Sequence, residues 1–418
     1  MCPLKYSETN DWQLKLGIPA MNGRMKSIGS VLTQHREVGH GFDFLRLFLA
    51  FSVVGWHSVA LVTGDDLAER ATAFWVYKYS VLPIFFALSG FLIAGSALRL
   101  SLKNFLMNRG FRILPALAVE IVLSALILGP LLTTVPLKEY FSDRHFWTYF
   151  LNMFGWIQFN LPGMFVGQPF TAVNGSLWTV PYEMACYVVM SVIIILGILK
   201  RPILIAAALV GFYALSVAQL YGDLNHYLPS MVVSAIDRFF NRAATNLTGP
   251  NLVPFFLGGS LIYLWRFWIP YSWPLFLGCI GVLGASGIWG NLDWGLNPIF
   301  QALSIPPMLY IMAFIGVSNI PMPQHFKKND YSYGVYLYGW PIQQTTLWIF
   351  PSLLGHSMRH FLFSSLSLLI FAAFSWRVIE RPILQLRKRV SFTGKKAAAN
   401  DSDEPAIAEG KMAAIPAE

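Results

Sequence analysis

Apolar residues run through this chain in blocks of about twenty, separated by short polar or Gly- and Pro-bearing stretches. That is the length an α-helix needs to cross the hydrocarbon of a bilayer. About ten blocks can be read, over residues 44–63, 73–97, 113–134, 177–199, 202–220, 251–268, 271–290, 297–317, 331–352 and 359–379. The pattern predicts an all-α, polytopic integral membrane protein with about ten transmembrane helices. The stretch at about 135–176 is long and aromatic (FWTYFLNMFGWIQF, 146–159) and is expected to lie along the interface, where Trp and Tyr sit at headgroup depth. Three parts follow: an N-terminal segment 1–41, a membrane domain 42–382, and a basic then disordered tail 383–418.

Composition sharpens this reading. Of 418 residues, 55% are hydrophobic and 12% charged, with a mean hydropathy of +0.53; a soluble domain carries about 25% charged residues. The net charge of +9 is dispersed among apolar segments, so positive-inside topology explains it better than a nucleic-acid partner. With the N-terminus inside, the inner loops carry Arg99, Lys103, Arg109, Arg112, Lys200, Arg201, Arg266, Lys327 and Lys328. The outer loops carry Asp65, Asp66 and Glu69 against Arg70, then Asp223 and Asp237 against Arg238 and Arg242, then Asp293. Both termini are therefore expected in the cytoplasm. Cys2, Cys186 and Cys279 have no spacing that implies a disulfide framework or a zinc site, and no metal is expected. No cleavable signal peptide is expected either, since residues 1–40 are polar and basic and Arg46 interrupts the apolar run that follows.

Candidate chemistry begins in the first span, where Arg46 and His57 are costly residues to bury. Their separation turns a helix by about 1100°, three turns plus roughly 20°, so they share a face, ~16 Å apart along the axis. His57 could simply pack against a neighbouring helix, or in its neutral form accept a proton. Arg46 could be a snorkelling anchor or a working charge. Glu183, in NGSLWTVPYEMACY, enters from outside about two turns deep, at a depth expected to match His57. It reads as a partner for His57 or as a buried pair with a Tyr or Trp. Glu120, also inside a span, reads as structural. Arg109 and Arg112 open the third span, with Pro115 in its first turn, and project from one face. They suit either topological anchoring or a two-pronged phosphate clamp. Ser89 and Gly90, in PIFFALSGFLIAG, allow helices to approach closely.

Together these motifs resemble the acyltransferase 3 family of bacterial membrane acyltransferases. The family's opening pattern matches Asp43, Leu45, Arg46 and His57, and its FF-x-LSGF-x-I segment matches Phe85 to Ile93. Its R-x-x-R-I-x-P matches Arg109, Arg112, Ile113 and Pro115. Its SLWSL-x-x-E-x-x-x-Y resembles Ser176, Leu177, Trp178, Thr179, Glu183 and Tyr187. Its SY-x-x-YL-x-x-x-P resembles Ser332, Tyr333, Tyr336, Leu337 and Pro341, and Glu380 and Pro382 close the series. The chain departs where many members carry a second acidic residue (here Met184) and a His before Trp340-Pro341 (here Tyr338-Gly339).

The resemblance implies a multi-pass enzyme of the bacterial cytoplasmic (inner) membrane. It would move an acyl group, usually acetyl, from acyl-CoA to a hydroxyl of a cell-envelope or exported glycan. His57, Arg46 and Glu183 would be catalytic, Arg109 and Arg112 would hold the donor, and Asp43, Ser89, Trp178 and Tyr187 would support them. Acyl-CoA (acetyl-CoA) would be a co-substrate with no cofactor bound. The other partners would be a glycan or lipid-linked saccharide acceptor and the bilayer, with no nucleic acid. The alternative is a transporter or flippase of a lipid-linked saccharide, with the same residues as a relay; the paired cytoplasmic arginines and the lack of an inverted repeat weigh against it.

Overall fold

A computed structural model of the chain describes residues 26–34, 39–65, 72, 74–221, 229–234, 252–290 and 297–390. Residues 1–25 and the tail 391–418 lie outside the described residues, as do the loop charges Asp66, Glu69, Arg70, Asp223, Asp237, Arg238, Arg242 and Asp293.

Among the described residues there are helices and no β-strand, only an isolated bridge between Ser27 and Pro270. After α1 (Ile28–Gln34) come α2 (His40–Thr63), α3 (Trp75–Ala97) and the 31-residue α4 (Leu102–Leu132). Two short helices, α5 (Leu137–Ser142) and α6 (Arg144–Tyr149), open the aromatic stretch. Then follow α7 (Val180–Ile195), α8 (Pro202–Tyr221), α9 (Leu252–Leu264), α10 (Trp273–Trp289) and α11 (Pro298–Val317). The series ends with α12 (Gln324–Lys328), α13 (Ser332–Ile349), α14 (Ser357–Ser375) and α15 (Arg381–Val390).

A helix lies at each of the predicted spans. Seven are long and apolar enough to cross a membrane; α9 and α10 are apolar but shorter. Helix α13 is long enough but more polar, because Gln343, Gln344, Thr345 and Thr346 crowd its second half. That polarity has a structural use.

One boundary differs from the sequence reading. Helix α4 begins at Leu102, where the Ser101 side chain caps it by accepting from the Asn104 amide, so Arg109, Arg112 and Pro115 lie inside the helix rather than at its opening. Hydropathy could not see this, because the first turns of α4 carry Lys103, Asn104 and Asn108.

Contacts fix the directions of the central helices. Arg46 of α2 and Arg112 of α4 both reach Asp330, just before α13, while Gln343 near the far end of α13 reaches Val54 and Ser58 of α2. So α2, α4 and α13 run the same way. Helix α14 runs opposite, since His360 Nε2 meets the Gln343 carbonyl and Phe371 meets Tyr338.

The segment before α7 also descends along α13, as irregular backbone. Gln344 donates to the carbonyls of Phe170 and Ala172, Trp340 to Ala172, and Tyr336 to Ser176. Asn174 donates in turn to the Leu337 carbonyl and to Glu120. Irregular backbone inside hydrocarbon persists only where protein groups satisfy it, and the polar half of α13 does so.

Helices α3 and α9 cross in close contact. A Cβ at Gly90 would run into the Phe256 carbonyl, and one at Gly259 into the Ala87 carbonyl. Ser260 Oγ bonds the Gly90 carbonyl at 3.1 Å, sealing the contact. Trp147, Phe154 and Trp156 are 64%, 80% and 69% exposed, while Gly155 between the last two sits against Pro181 and Met184 of α7.

Candidate active site

Near the Asp330 end, α2, α3, α4, α7, α9 and α13 line an open cavity. One side is polar: Arg46, Ser89, Arg109, Arg112, Glu183 and Tyr187. The other is apolar, with Leu82, Phe85, Leu92, Ile93 and Phe256. Residues from six helices converge here.

An ion-pair hub holds the mouth. Asp330 accepts from Arg112 at 2.6 Å and from Arg46 at 3.4 Å, and Ser332 donates to its other oxygen at 2.6 Å. Asp43 lies 3.4 Å from the same Arg46 nitrogen, and Glu380 lies 3.9 Å from Arg112. Burial alone would raise the Asp330 carboxyl, but Arg112 and then Arg46 outweigh it and hold it well below the usual carboxylate range. Sequence reasoning missed Asp330. Its one signal was an acidic residue two positions before the Ser332-Tyr333 motif in a segment otherwise basic (Lys327, Lys328).

The two arginines of the α4 motif therefore differ. Arg112 is committed to Asp330 and Glu380, and its guanidinium also lies 5.7 Å from the Tyr333 ring. Arg109 makes no ion pair among the described residues, and its Nε is buried without a hydrogen-bond partner. Of the three arginines lining the cavity, it alone has no carboxylate partner among the described residues.

Glu183 faces this same end. It accepts from Tyr187 at 2.6 Å, one turn on along α7, and shares the cavity wall with Arg109. It is not at the depth of His57, and the two are not brought together. The reason is the descending segment: by Thr179, whose hydroxyl lies 2.6 Å from that of Tyr336, the chain is already a turn of α13 below Trp340. Glu183 lies a further turn down.

His57 sits beyond the cavity, edge-on to Trp340 with ring centroids 4.8 Å apart, and its Nδ1 is buried without a hydrogen-bond partner. Lys78 lies over the neighbouring Trp56 ring at 4.5 Å. Trp178 packs against Tyr182 and does not line the cavity. Glu120 is buried and accepts from Ser124 and Asn174, which ties α4 to the descending segment, the structural part read for it from sequence. Among the described residues no group of three or more His, Cys, Asp or Glu side chains is placed to hold a metal ion.

Comparison with known proteins adds three findings. Residues 40–378 match the acyltransferase domain of the acyltransferase 3 family. The chain is 27% identical over 371 residues to nodulation protein 10 of Rhizobium leguminosarum bv. viciae, covering 84% of this chain and 95% of that one. It is 25% identical over 363 residues to the O-acetyl transferase of Shigella phage Sf6, covering 82% of this chain and 95% of the relative. No solved structure matches significantly.

Proposed function

Because the chain belongs to the acyltransferase 3 family, we propose that it is a membrane O-acyltransferase taking its acyl group from acyl-CoA. The observation that carries the donor is the cavity mouth, where three guanidinium groups converge beside an apolar wall. Guanidinium forks bind phosphate oxygens, and the apolar wall suits an uncharged arm behind them. The acceptor we assign is a glycan hydroxyl on a cell-envelope or lipid-linked saccharide, and the site of action a bacterial inner membrane. The relative named O-acetyl transferase supports transfer of an acetyl group to oxygen.

Arg109 engages the donor phosphates, with Arg46 and Arg112 held in place by Asp330. His57 then stands ~16 Å further along the face of α2 that bears Arg46, within the span of an extended pantetheine arm. At the thioester, the acceptor oxygen forms a bond to the carbonyl carbon while His57 takes the hydroxyl proton. The C–S bond breaks, and the imidazolium returns that proton to the departing thiolate. A positioned base of this kind is worth about 10²–10⁴-fold. Glu183 acts at the donor end, orienting Tyr187 beside Arg109, rather than on His57.

The test is release of free thiol from acetyl-CoA by membranes containing the protein, with and without glycan acceptor. Acceptor-dependent release, lost in His57→Ala, is the expected result. Acceptor-independent release or none would remove the reading.

A further inference from the structure

The cavity and His57 are not continuous. Helix α13 presents Tyr333, Tyr336 and Trp340, spaced by three and four residues and so on one face. Tyr333 belongs to the mouth, donating to the Ile113 carbonyl at 3.1 Å beside Arg112. Trp340 belongs to His57. Tyr336 stands between them, its ring centroid 6.0 Å from that of Phe85 across the path and its hydroxyl 2.6 Å from Thr179 Oγ1. Phe85, Thr179 and Tyr336 line the cavity; His57 and Trp340 do not. On α13 the open space thus ends about one helical turn, ~5.4 Å, short of the level of Trp340, and on α3 its lining reaches Leu82, one turn past Phe85.

We infer that Phe85 and Tyr336 form the barrier an acyl group must cross to reach His57, and that they set the size of acyl group transferred. This rests on the acyl-CoA reading of the cavity. With phosphates at Arg109, the arm enters between the apolar wall of α3 and the Tyr-bearing face of α13, and its thioester end meets Phe85 and Tyr336. Tyr336 is restrained by its hydroxyl, which is shared between Thr179 and the Ser176 carbonyl at 3.3 Å. A single neutral hydrogen bond is a weak restraint, so it yields to a passing chain. The packed Phe85 ring does not yield so readily, and branching or bulk on the acyl group meets it directly. One extra methylene in such a constriction discriminates by roughly 10–200-fold.

The test compares acceptor-dependent thiol release from acetyl-CoA and isobutyryl-CoA by full-length wild type, Phe85→Ala and Tyr336→Phe in membranes. The readout is the isobutyryl-to-acetyl ratio of kcat/KM. Phe85→Ala should raise that ratio by roughly tenfold or more, and Tyr336→Phe, which keeps the ring and frees it from Thr179, by a few-fold. A ratio within about twofold of wild type in both variants overturns the barrier. If Phe85→Ala does not fold, Phe85→Leu takes its place with the same expectation. Calorimetry of free CoA with wild type separates the two readings. If CoA fails to bind, the donor assignment falls and the barrier with it; if CoA binds and the ratio is unmoved, the barrier alone falls.

Discussion

Arg112 and Asp330 are 218 residues apart in sequence and 2.6 Å apart in space. The pair joins the middle of α4 to the start of α13, and through Arg46 it takes in α2 as well. Three helices meet on one carboxylate.

Loss of Arg112 should therefore damage the fold. Arg112→Ala leaves Asp330 with Arg46 alone and leaves the buried Glu380 without a cation. Breaking such a pair by removing one partner costs about 3–5 kcal/mol when fully buried, so about 3 kcal/mol is expected at this partly exposed site. Thermal melting of the purified protein in detergent should show it as a clear fall in Tm.

Arg109→Ala should do the reverse. With no ion pair among the described residues to lose, the fold should tolerate it, while a donor phosphate loses a charge-assisted contact worth about 1.5–3 kcal/mol. CoA affinity should drop roughly tenfold or more, measured by calorimetry. Arg109→Lys should recover only part, since it keeps the charge without the planar fork. Equal CoA affinity in Arg109→Ala and wild type would rule the contact out.

The base at His57 can be probed without disturbing insertion. His57→Gln keeps a polar side chain of similar size against Trp340 and removes the proton acceptor. Acceptor-dependent turnover should fall by about 10²–10⁴-fold with donor binding intact. A variant that binds CoA and turns over normally would exclude the role.

Acid should loosen the hub in a defined direction. The Asp330 carboxyl is held low in the folded protein. Its contribution is complete above its unfolded pKa of about 4 and fades as pH falls below that. Wild type should therefore lose more stability than Asp330→Asn between about pH 4 and 3, followed by melting across that range. Parallel loss in the two proteins would show that the pair does not control acid stability.

The α3–α9 crossing tolerates no side chain at its centre. Gly90→Ala drives a Cβ against the Phe256 carbonyl, a backbone atom that cannot swing aside. A loss of about 1–3 kcal/mol is expected, and because Ser89 and Phe256 line the cavity, a change in CoA affinity with it. Unchanged melting and binding would mean the two helices can part without cost.

Sequence alone determined the helical class, the positions of the spans and the residues worth watching, because burial in lipid imposes long apolar runs that any window of hydropathy detects. It also determined that Arg46 and His57 share a face, a consequence of helical pitch within one segment. Partnerships between segments were another matter. Arg112 with Asp330, Glu183 with Tyr187 rather than His57, and Tyr336 standing between cavity and base depend on the relative height of separate helices. Height is set where irregular backbone enters the bundle, and the descent of residues 170–179 along α13 is written in side-chain hydrogen bonds from Trp340, Gln344 and Asn174. A pattern of apolar residues carries no record of those bonds. Only the packed structure decided which charge met which.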